Sequence, residues 1–399
     1  MINPNELYKS PNALAQYYGN FRVAERLLLT GQSHQAWPDC GFDGQRQAWL
    51  DAAEYTDEKW ERAFAKAELV RKGFSRLLDD KNGHIALGQN THELVIRFLS
   101  ALPLRNRPHL VTTDGEFHTI RRQLDRLAEE DVDIVKIKAS PAASLAERLA
   151  EAVDDRTSAV MVSSVLFQNA QIVPGLGYVL DACRKVGAEL LVDAYHALNV
   201  VPISLKQERL EGAFIVGGGY KYCQLGEGNC FLRFPKDCEM RPIITGWFSE
   251  FSALTETSEQ VVYGQGPDRF AGATYDPTSH YRAAEVFDFF NEHDLTPKFL
   301  RQISRHQVGL LAKLFDELDA DPQLISRDRS VKLEDIGGFL ALDSLRASDI
   351  CRLVRERGVL TDYRGEILRL GPAPYMSDQQ LTEAMEIFGK VVRSRETKR

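Results

Sequence analysis

Two residues that could act together chemically stand at the ends of two apolar runs. Asp193 follows the run 189–192, and Lys221 follows the run 213–216 after three glycines. Such runs predict buried strands, and the strand ends form the binding crevice of an α/β sheet. A lysine desolvated there loses its proton readily and can form a Schiff base, while a nearby aspartate can hold a protonated ring nitrogen. Pyridoxal phosphate requires this pairing of lysine and acid.

The order of these residues along the chain resembles the class V aminotransferase superfamily of fold-type I enzymes. The motifs are Asp-Ala-Tyr-His at 193–196, Tyr-Lys-Tyr at 220–222 and Gly-Trp-Phe at 246–248, and the last two are most similar to kynureninase. The similarity extends from about Gln32 to the C-terminal helix. It implies the fold of pyridoxal-phosphate-dependent transferases, with a mostly parallel central sheet in a large domain and a smaller α+β domain.

The resemblance also implies roles for individual residues. Lys221 would form the Schiff base and move protons, Asp193 would keep the pyridine nitrogen protonated, and His196 would adjoin the ring. Arg369, between two leucines of an apolar strand, would grip the carboxylate of an amino-acid substrate. The residues implied to bind pyridoxal phosphate are Asn90, Thr91, Phe117, Ser163, Asp193, His196, Tyr220, Lys221, Trp247 and Thr274.

Five of these residues also have a simpler structural interpretation. Phe117 could be an ordinary core residue, and Lys221 could be a surface lysine after a glycine turn. Asn90 stands where a predicted helix begins, a position at which a polar residue is usually only an N-cap. Ser163 could cap a strand end. A buried arginine such as Arg369 needs an anionic partner, which a structural salt bridge would provide as well as a substrate. The residues alone leave these alternatives open.

The elements that position these residues follow an alternating pattern. Strand-like and helical segments alternate from residue 85 to 235, which predicts a parallel, doubly wound sheet. We also expect a helix over 13–29, a continuous helical pattern over 46–78, and a helix after Ser348. The predicted organisation is an N-terminal arm associated with the small domain (1–50), a large cofactor-binding domain (51–279) and a C-terminal small domain (280–399).

Composition narrows the possible classes of function. The chain has 399 residues, 44% of them hydrophobic and 27% charged, which is typical of a globular protein with a large core. The net charge of −8 argues against a general nucleic-acid surface. The six cysteines form no C-x-x-C pair, so we expect no metal site and a reducing, cytoplasmic setting. We expect neither a signal peptide nor a membrane span.

The resemblance implies a reaction and an assembly. The first hypothesis is kynureninase-like hydrolysis, in which a carbon–carbon bond of an L-amino acid with a γ-carbonyl is cleaved and alanine is released. The loop at 272–274 resembles one that reaches the phosphate of a second subunit, which implies a homodimer with shared sites.

Other reactions stay open. The alternatives are another class V aminotransferase and a lyase that cleaves a β carbon–sulfur bond. A cysteine desulfurase is disfavoured, because the C-terminal region offers only Cys351, inside a predicted helix, and persulfide chemistry needs an exposed thiol. A non-catalytic regulator that kept the fold is a further hypothesis. A nucleotide-binding enzyme lacks support, because neither phosphate-loop nor dinucleotide-binding glycine motifs occur.

Overall fold

The computed structural model describes residues 2–253 and 259–394. In these residues the strands form a seven-stranded, a three-stranded and a two-stranded sheet. The strands are β1 (Leu27–Leu28), β2 (His84–Gly88), β3 (His109–Thr113), β4 (Asp133–Ile137), β5 (Thr157–Ser163), β6 (Glu189–Asp193), β7 (Phe214–Gly218), β8 (Cys230–Phe234), β9 (Leu340–Asp343), β10 (Val359–Leu360), β11 (Asp362–Arg364) and β12 (Ile367–Leu370). The α-helices are α1 (Pro4–Tyr8), α2 (Cys40–Tyr55), α3 (Lys59–Leu77), α4 (Thr91–Ala101), α5 (His118–Ala128), α6 (Leu145–Glu151), α7 (Leu176–Val186), α8 (Thr278–Glu292), α9 (Pro297–Glu317), α10 (Ala347–Glu356) and α11 (Asp378–Arg393).

The seven-stranded sheet confirms the predicted mostly parallel architecture. Its strand order is β2-β8-β7-β6-β5-β3-β4, and β8 alone among these strands points in the direction opposite to the other six. Alternate residues of β5 pack into two different apolar clusters, with Val160 and Val162 in one and Ala159 and Met161 in the other. Both faces are therefore covered, which is why the strands read as continuous apolar runs.

The strand register brings the ends of neighbouring strands level with one another. Ser163 at the end of β5 lies opposite Asp193 at the end of β6, and Asp193 lies opposite Val216 of β7. Polar residues that are far apart in sequence therefore meet at one edge of the sheet.

The predicted helix over 13–29 is wrong. The segment forms two 3₁₀ turns, Ala15–Phe21 and Val23–Glu25, followed by β1. The side chain of Asp39 accepts hydrogen bonds from the backbone N–H groups of Gly19 and Asn20, at 2.8 and 3.1 Å, and Arg22 adopts a left-handed conformation. These contacts replace the helical hydrogen bonds, although most of the apolar side chains are fully or partly buried.

Two further helix predictions need correction. The pattern over 46–78 is divided between α2 and α3, because Thr56 adopts a left-handed φ of 51° and ends α2. Ser348 does not cap a helix: α10 begins at Ala347 after Arg346, and no side chain makes the capping hydrogen bond there.

The N-terminal segment packs against the C-terminal unit. Leu27 and Leu28 of β1 pair with Val359 and Leu360 of β10 in parallel. This pairing agrees with an arm that belongs to the small domain, while the domain boundaries stay a prediction. Among residues 2–253 and 259–394, no helix has the length and apolar character needed to cross a membrane.

A buried ion pair ties the sheet to the turn after α3. Arg233 in β8 is only 1% exposed, and its Nε donates to Asp80 Oδ2 at 2.6 Å. Its Nη1 also donates to the carbonyl oxygens of Glu211 and Ala213, at 2.7 and 2.8 Å. Removing the carboxylate would leave a buried guanidinium without its counter-charge.

We therefore expect Asp80→Ala to lower the free energy of unfolding by about 3–5 kcal/mol, the usual cost of breaking a buried pair. Asp125→Ala is the matched control, because Asp125 pairs with Arg121, at 2.9 Å, and with Lys136, both at the surface. Its loss should cost less than about 1 kcal/mol. Urea unfolding followed by circular dichroism measures both changes, and equal losses would contradict the expectation.

Candidate active site

Lys221 lies just beyond the end of β7, beside the end of β6. The three preceding glycines allow this approach: a Cβ on Gly218 would lie 2.5 Å from the hydroxyl oxygen of Tyr195 and 2.6 Å from the Cys230 sulfur. Only glycine therefore fits at position 218. The Lys221 side chain is 5% exposed, and its Nζ lies 4.6 Å from the ring centre of Tyr195 and 5.1 Å from that of Phe117.

The buried Lys221 amine is hydrogen-bonded to a histidine, and a nearby carboxylate supplies the opposite charge. Lys221 Nζ and His196 Nε2 are hydrogen-bonded at 2.7 Å. Burial lowers the pKa of Lys221 to about 7, against the charge of Asp193, which favours the ammonium. Burial and the neighbouring Lys221 also hold the pKa of His196 well below its usual range. The amine is therefore partly neutral at physiological pH, as a nucleophile must be.

Asp193 is held in place by its own backbone turn. Its Oδ1 accepts a hydrogen bond from the Tyr195 N–H at 2.9 Å. Burial raises the pKa of this carboxyl, while that hydrogen bond and Lys221 act in the opposite direction. The carboxylate, the amine and the imidazole thus form one coupled group at the edge of the sheet.

One cavity of about 430 Å³ brings most of the predicted site residues together. Its wall combines aromatic rings, polar side chains and the first residues of α4. The predicted residues that line it are Asn90, Thr91, Phe117, Ser163, Asp193, His196, Tyr220 and Lys221. Trp247, Thr274 and Arg369 lie outside this lining.

The start of α4 is open to the cavity. Asn90 is the N-cap: its Oδ1 accepts from the Glu93 N–H at 3.0 Å, which confirms the capping interpretation. Thr91 is the first helical residue, and both residues line the cavity. The free N–H groups and the positive end of the helix dipole favour an anion there, so a phosphate role for Asn90 and Thr91 stays a prediction.

Arg369 forms the structural ion pair that was one of its two interpretations. Its Nε donates to Asp362 Oδ1 at 2.8 Å, its Nη2 donates to Asp362 Oδ2, and its Nη1 donates to the Phe167 carbonyl oxygen at 2.7 Å. It is nevertheless close enough to the site to lower the pKa of Lys221. Its role with a substrate stays a prediction.

A second cavity, of about 550 Å³, adjoins the first at Gln89, which lines both. Thr274 and Phe251 line this second cavity. Trp247, which is 42% exposed, lies beside Phe251, with the two ring centres 5.4 Å apart. His280 also lines it and is 2% exposed. Neither ring nitrogen of His280 has a hydrogen-bond partner in the described part of the chain, and burial lowers its pKa to about 3.

Sequence reasoning overlooked three residues of this region. They are His280, Glu116 and Glu227. Glu116 lies behind the wall of the first cavity, and Glu227 lines that cavity. Oε1 of Glu227 lies 3.4 Å from Nε2 of His34. The sequence offered one signal for Glu227: glycines stand on both sides of it, at positions 226 and 228. Both glycines adopt positive φ angles and form a turn that presents the Glu227 side chain.

Known proteins resemble the whole chain. No protein-family profile matches it. An uncharacterised aminotransferase, YcbU, of Bacillus subtilis is 22% identical over 386 residues, covering 96% of this chain and 98% of that protein. The kynureninase of Bacillus cereus ATCC 10987 is 23% identical over 392 residues, covering 94% of this chain and 86% of the relative. The kynureninase of Geobacillus thermodenitrificans is 23% identical over 420 residues, and the alignment covers 100% of this chain and 91% of that protein.

Solved structures share the fold at lower sequence identity. A variant of C-DES with glycine covalently linked to its pyridoxal phosphate superimposes with a TM-score of 0.79 at 14% identity, covering 94% of this chain and 98% of that one. The cystine C–S lyase C-DES with its product cysteine persulfide gives 0.78 at 15%, covering 93% and 99%. A cysteine desulfurase of Thermococcus onnurineus gives 0.77 at 15%, covering 92% and 95%.

The depressed pKa of Lys221 can be tested by chemical labelling. Since this pKa is about 7, acetylation of Lys221 by acetic anhydride should reach half its maximal rate near pH 7. Ordinary lysines reach that point only at a pH of about 10.4. Asp193→Asn should move the midpoint to lower pH, because the carboxylate favours the ammonium. Mass spectrometry of the Lys221 peptide measures both midpoints, and a midpoint shared with the exposed lysines would refute the assignment.

Proposed function

This chain has the fold of the class V, fold-type I pyridoxal-phosphate-dependent enzymes, and we propose that it binds pyridoxal phosphate at Lys221 and acts on an L-amino acid. The observation that carries the proposal is the buried Lys221 amine, with its pKa near 7, in one cavity with His196 and Asp193. A lysine at this depth is costly unless its neutral amine is used.

The cavity residues fit this cofactor. The Lys221 amine can bond to an aldehyde, the Asp193 carboxylate can pair with a proton-bearing ring nitrogen, and the Phe117 ring can cover a planar face. His196 Nδ1 is buried and has no partner among the described residues, so it keeps a hydrogen-bonding position for a ligand. The residues proposed to hold the phosphate are Asn90, Thr91, Tyr220, Trp247 and the partner subunit's Thr274, while Ser163 borders the ring.

The chain's own residues divide the work. When bound, pyridoxal phosphate supplies a protonated ring that accepts the electrons released at the substrate carbons. Asp193 keeps that proton in place, and Lys221 Nζ carries protons to and from the substrate. His196, neutral at physiological pH, accepts a hydrogen bond from Lys221 when that amine is charged. Arg369 orients the substrate carboxylate.

The proposed reaction is hydrolytic carbon–carbon cleavage of the kynureninase kind. Relatives that carry this name match nearly the full chain, and the Tyr-Lys-Tyr and Gly-Trp-Phe motifs agree with it. An aminotransferase or a β carbon–sulfur lyase is the second candidate, favoured by the relative YcbU and by the fold of C-DES. A desulfurase stays disfavoured, since Cys351 is buried in α10 and its sulfur contacts the Thr361 carbonyl oxygen at 3.4 Å.

We further propose that two copies of the chain share their sites. Five exposed apolar residues between positions 243 and 261, called the apolar patch here, belong to a segment linked to the loop of Thr274: the Phe248 N–H donates to the Gly272 carbonyl oxygen at 3.0 Å. A patch of this kind marks a protein interface. Its residues are Ile243, Ile244, Trp247, Phe251 and Val261. The cytoplasmic location, expected from the scattered cysteines, stays a prediction.

Absorption spectroscopy tests the cofactor and the substrate in one experiment. Purified protein mixed with pyridoxal phosphate should show a visible band of the lysine-bound cofactor, and L-kynurenine should shift that band and yield anthranilate. Lys221→Ala should fold normally but lose both the band and turnover. The circular dichroism of this variant is the control for its fold.

Each result has a defined meaning. A band that L-kynurenine leaves unchanged would keep the cofactor and reject this substrate, and other amino acids with keto-acid acceptors would then be assayed. A cofactor band with no turnover of any amino acid would favour the regulator. Turnover retained in Lys221→Ala would refute the proposed role of Lys221.

The shared site predicts that assembly and cofactor binding change together. Ile243 is 82% exposed within the apolar patch, so Ile243→Glu should convert dimers to monomers and weaken pyridoxal phosphate binding at least about 10-fold. Leu345→Glu is the control, because Leu345 is 78% exposed outside the patch. Analytical ultracentrifugation and cofactor titration measure both effects. A monomeric wild-type protein that binds the cofactor fully would contradict the shared site.

A further inference from the structure

A buried carboxylate that the proposed mechanism does not use lies behind the wall of the Lys221 cavity. Glu116 is 1% exposed. Its Oε1 accepts from the Thr113 hydroxyl at 2.6 Å and from the Ser163 N–H at 3.2 Å, and its Oε2 accepts from the Ser163 hydroxyl at 2.6 Å. Three hydrogen bonds from two strands thus converge on one side chain.

The position of Glu116 connects it to the site on two sides. Ser163 lines the cavity and lies opposite Asp193 in the strand register, and Phe117, the next residue of the chain, also lines the cavity. The charged group that faces Glu116 is Asp193, with Lys221 beyond it. Burial and Asp193 raise the pKa of Glu116 to about 7, while the hydrogen bonds from Ser163 and Thr113 favour the carboxylate.

When Glu116 is ionised, its carboxylate can only accept, and the network then determines the direction of each hydrogen bond. The Thr113 hydroxyl oxygen accepts from the Gly115 N–H at 3.1 Å, and its own hydrogen points to Glu116. The Ser163 hydroxyl likewise donates its single hydrogen to Glu116, so toward the cavity it can act only as a hydrogen-bond acceptor.

We propose that Glu116 is a positioning residue: by taking the hydroxyl hydrogen of Ser163, it makes Ser163 an acceptor beside Asp193. The inference rests on the proposed binding of pyridoxal phosphate. Two neighbouring acceptors favour the proton-bearing edge of the ring, whereas a hydroxyl hydrogen directed at that edge would oppose it. Glu116 therefore acts on the cofactor through Ser163.

The variant Glu116→Gln reverses the Ser163 hydroxyl without changing the size of the side chain. Ser163 N–H and the Thr113 hydroxyl both donate to Oε1, so the amide oxygen must occupy that place. The amide nitrogen then faces the Ser163 oxygen and donates to it. The hydroxyl hydrogen is released toward the cavity, where it meets the ring.

The test is a double-mutant cycle on pyridoxal phosphate affinity, with the apparent pKa of its visible band as the second measurement. Ser163→Ala should weaken binding about 10-fold, the effect of one hydrogen bond to a charged group. Glu116→Gln should weaken cofactor binding at least as much as Ser163→Ala does. It should also shift the apparent pKa of the visible band in the same direction as Ser163→Ala. The double variant should match Ser163→Ala, because Glu116 then has no hydroxyl to position.

Thr113→Val is the matched control, since it removes one hydrogen bond from Glu116 but leaves the Ser163 contact; its affinity should stay within about two-fold of wild type. Thermal unfolding of each apo variant separates loss of binding from loss of fold. Losses that multiply in the double variant, or a wild-type affinity in Glu116→Gln, would overturn the inference and leave the proposed function intact. A wild-type protein that forms no cofactor band would overturn both.

Discussion

The cost of burying the Lys221 amine is the constraint on which the site depends. A charged ammonium cannot be taken out of water without compensation, and here the compensation is partial: Asp193 supplies the opposite charge, while Arg369 acts against the ammonium. The balance leaves the amine near neutrality, hydrogen-bonded to His196 and surrounded by aromatic rings. The close approach at Gly218 serves the same end, because it lets the Tyr195 ring cover the amine.

The parts predicted well from sequence are those that local chemistry decides. The apolar runs 189–192 and 213–216 predict two buried strands, and β6 and β7 form there. β11 was missed, because its sequence Asp-Tyr-Arg shows no apolar alternation and it exists only through pairing with β12. The helix over 13–29 failed for a similar reason: the side chain of Asp39, distant in sequence, takes the N–H groups that a helix would use.

The same distinction applies to the site. Lys221 and Asp193 could be found because each ends a recognisable apolar run, and the ends of parallel strands converge. Glu116 and His280 could not be found in this way. What singles them out is their burial, the hydrogen bonds of Glu116 to residues distant in sequence, and the lack of hydrogen-bond partners for His280 among the described residues. Ser163 is 47 residues from Glu116, and only the strand order places them together. A charged residue in a loop reads from sequence as solvent-exposed, whatever its real environment.

The structural ion pair of Arg369 leaves room for its proposed functional role. A guanidinium has five donors, and three are engaged by Asp362 and the Phe167 carbonyl, which leaves two (5 − 3 = 2). The proposed contact with a substrate carboxylate therefore does not require the ion pair to break. Asp362 then does for Arg369 what Glu116 is proposed to do for Ser163: it takes up part of the hydrogen-bonding capacity and orients what remains. In both proposals a carboxylate outside the reacting centre would prepare a side chain for its ligand, which would lower the reorganisation needed on binding.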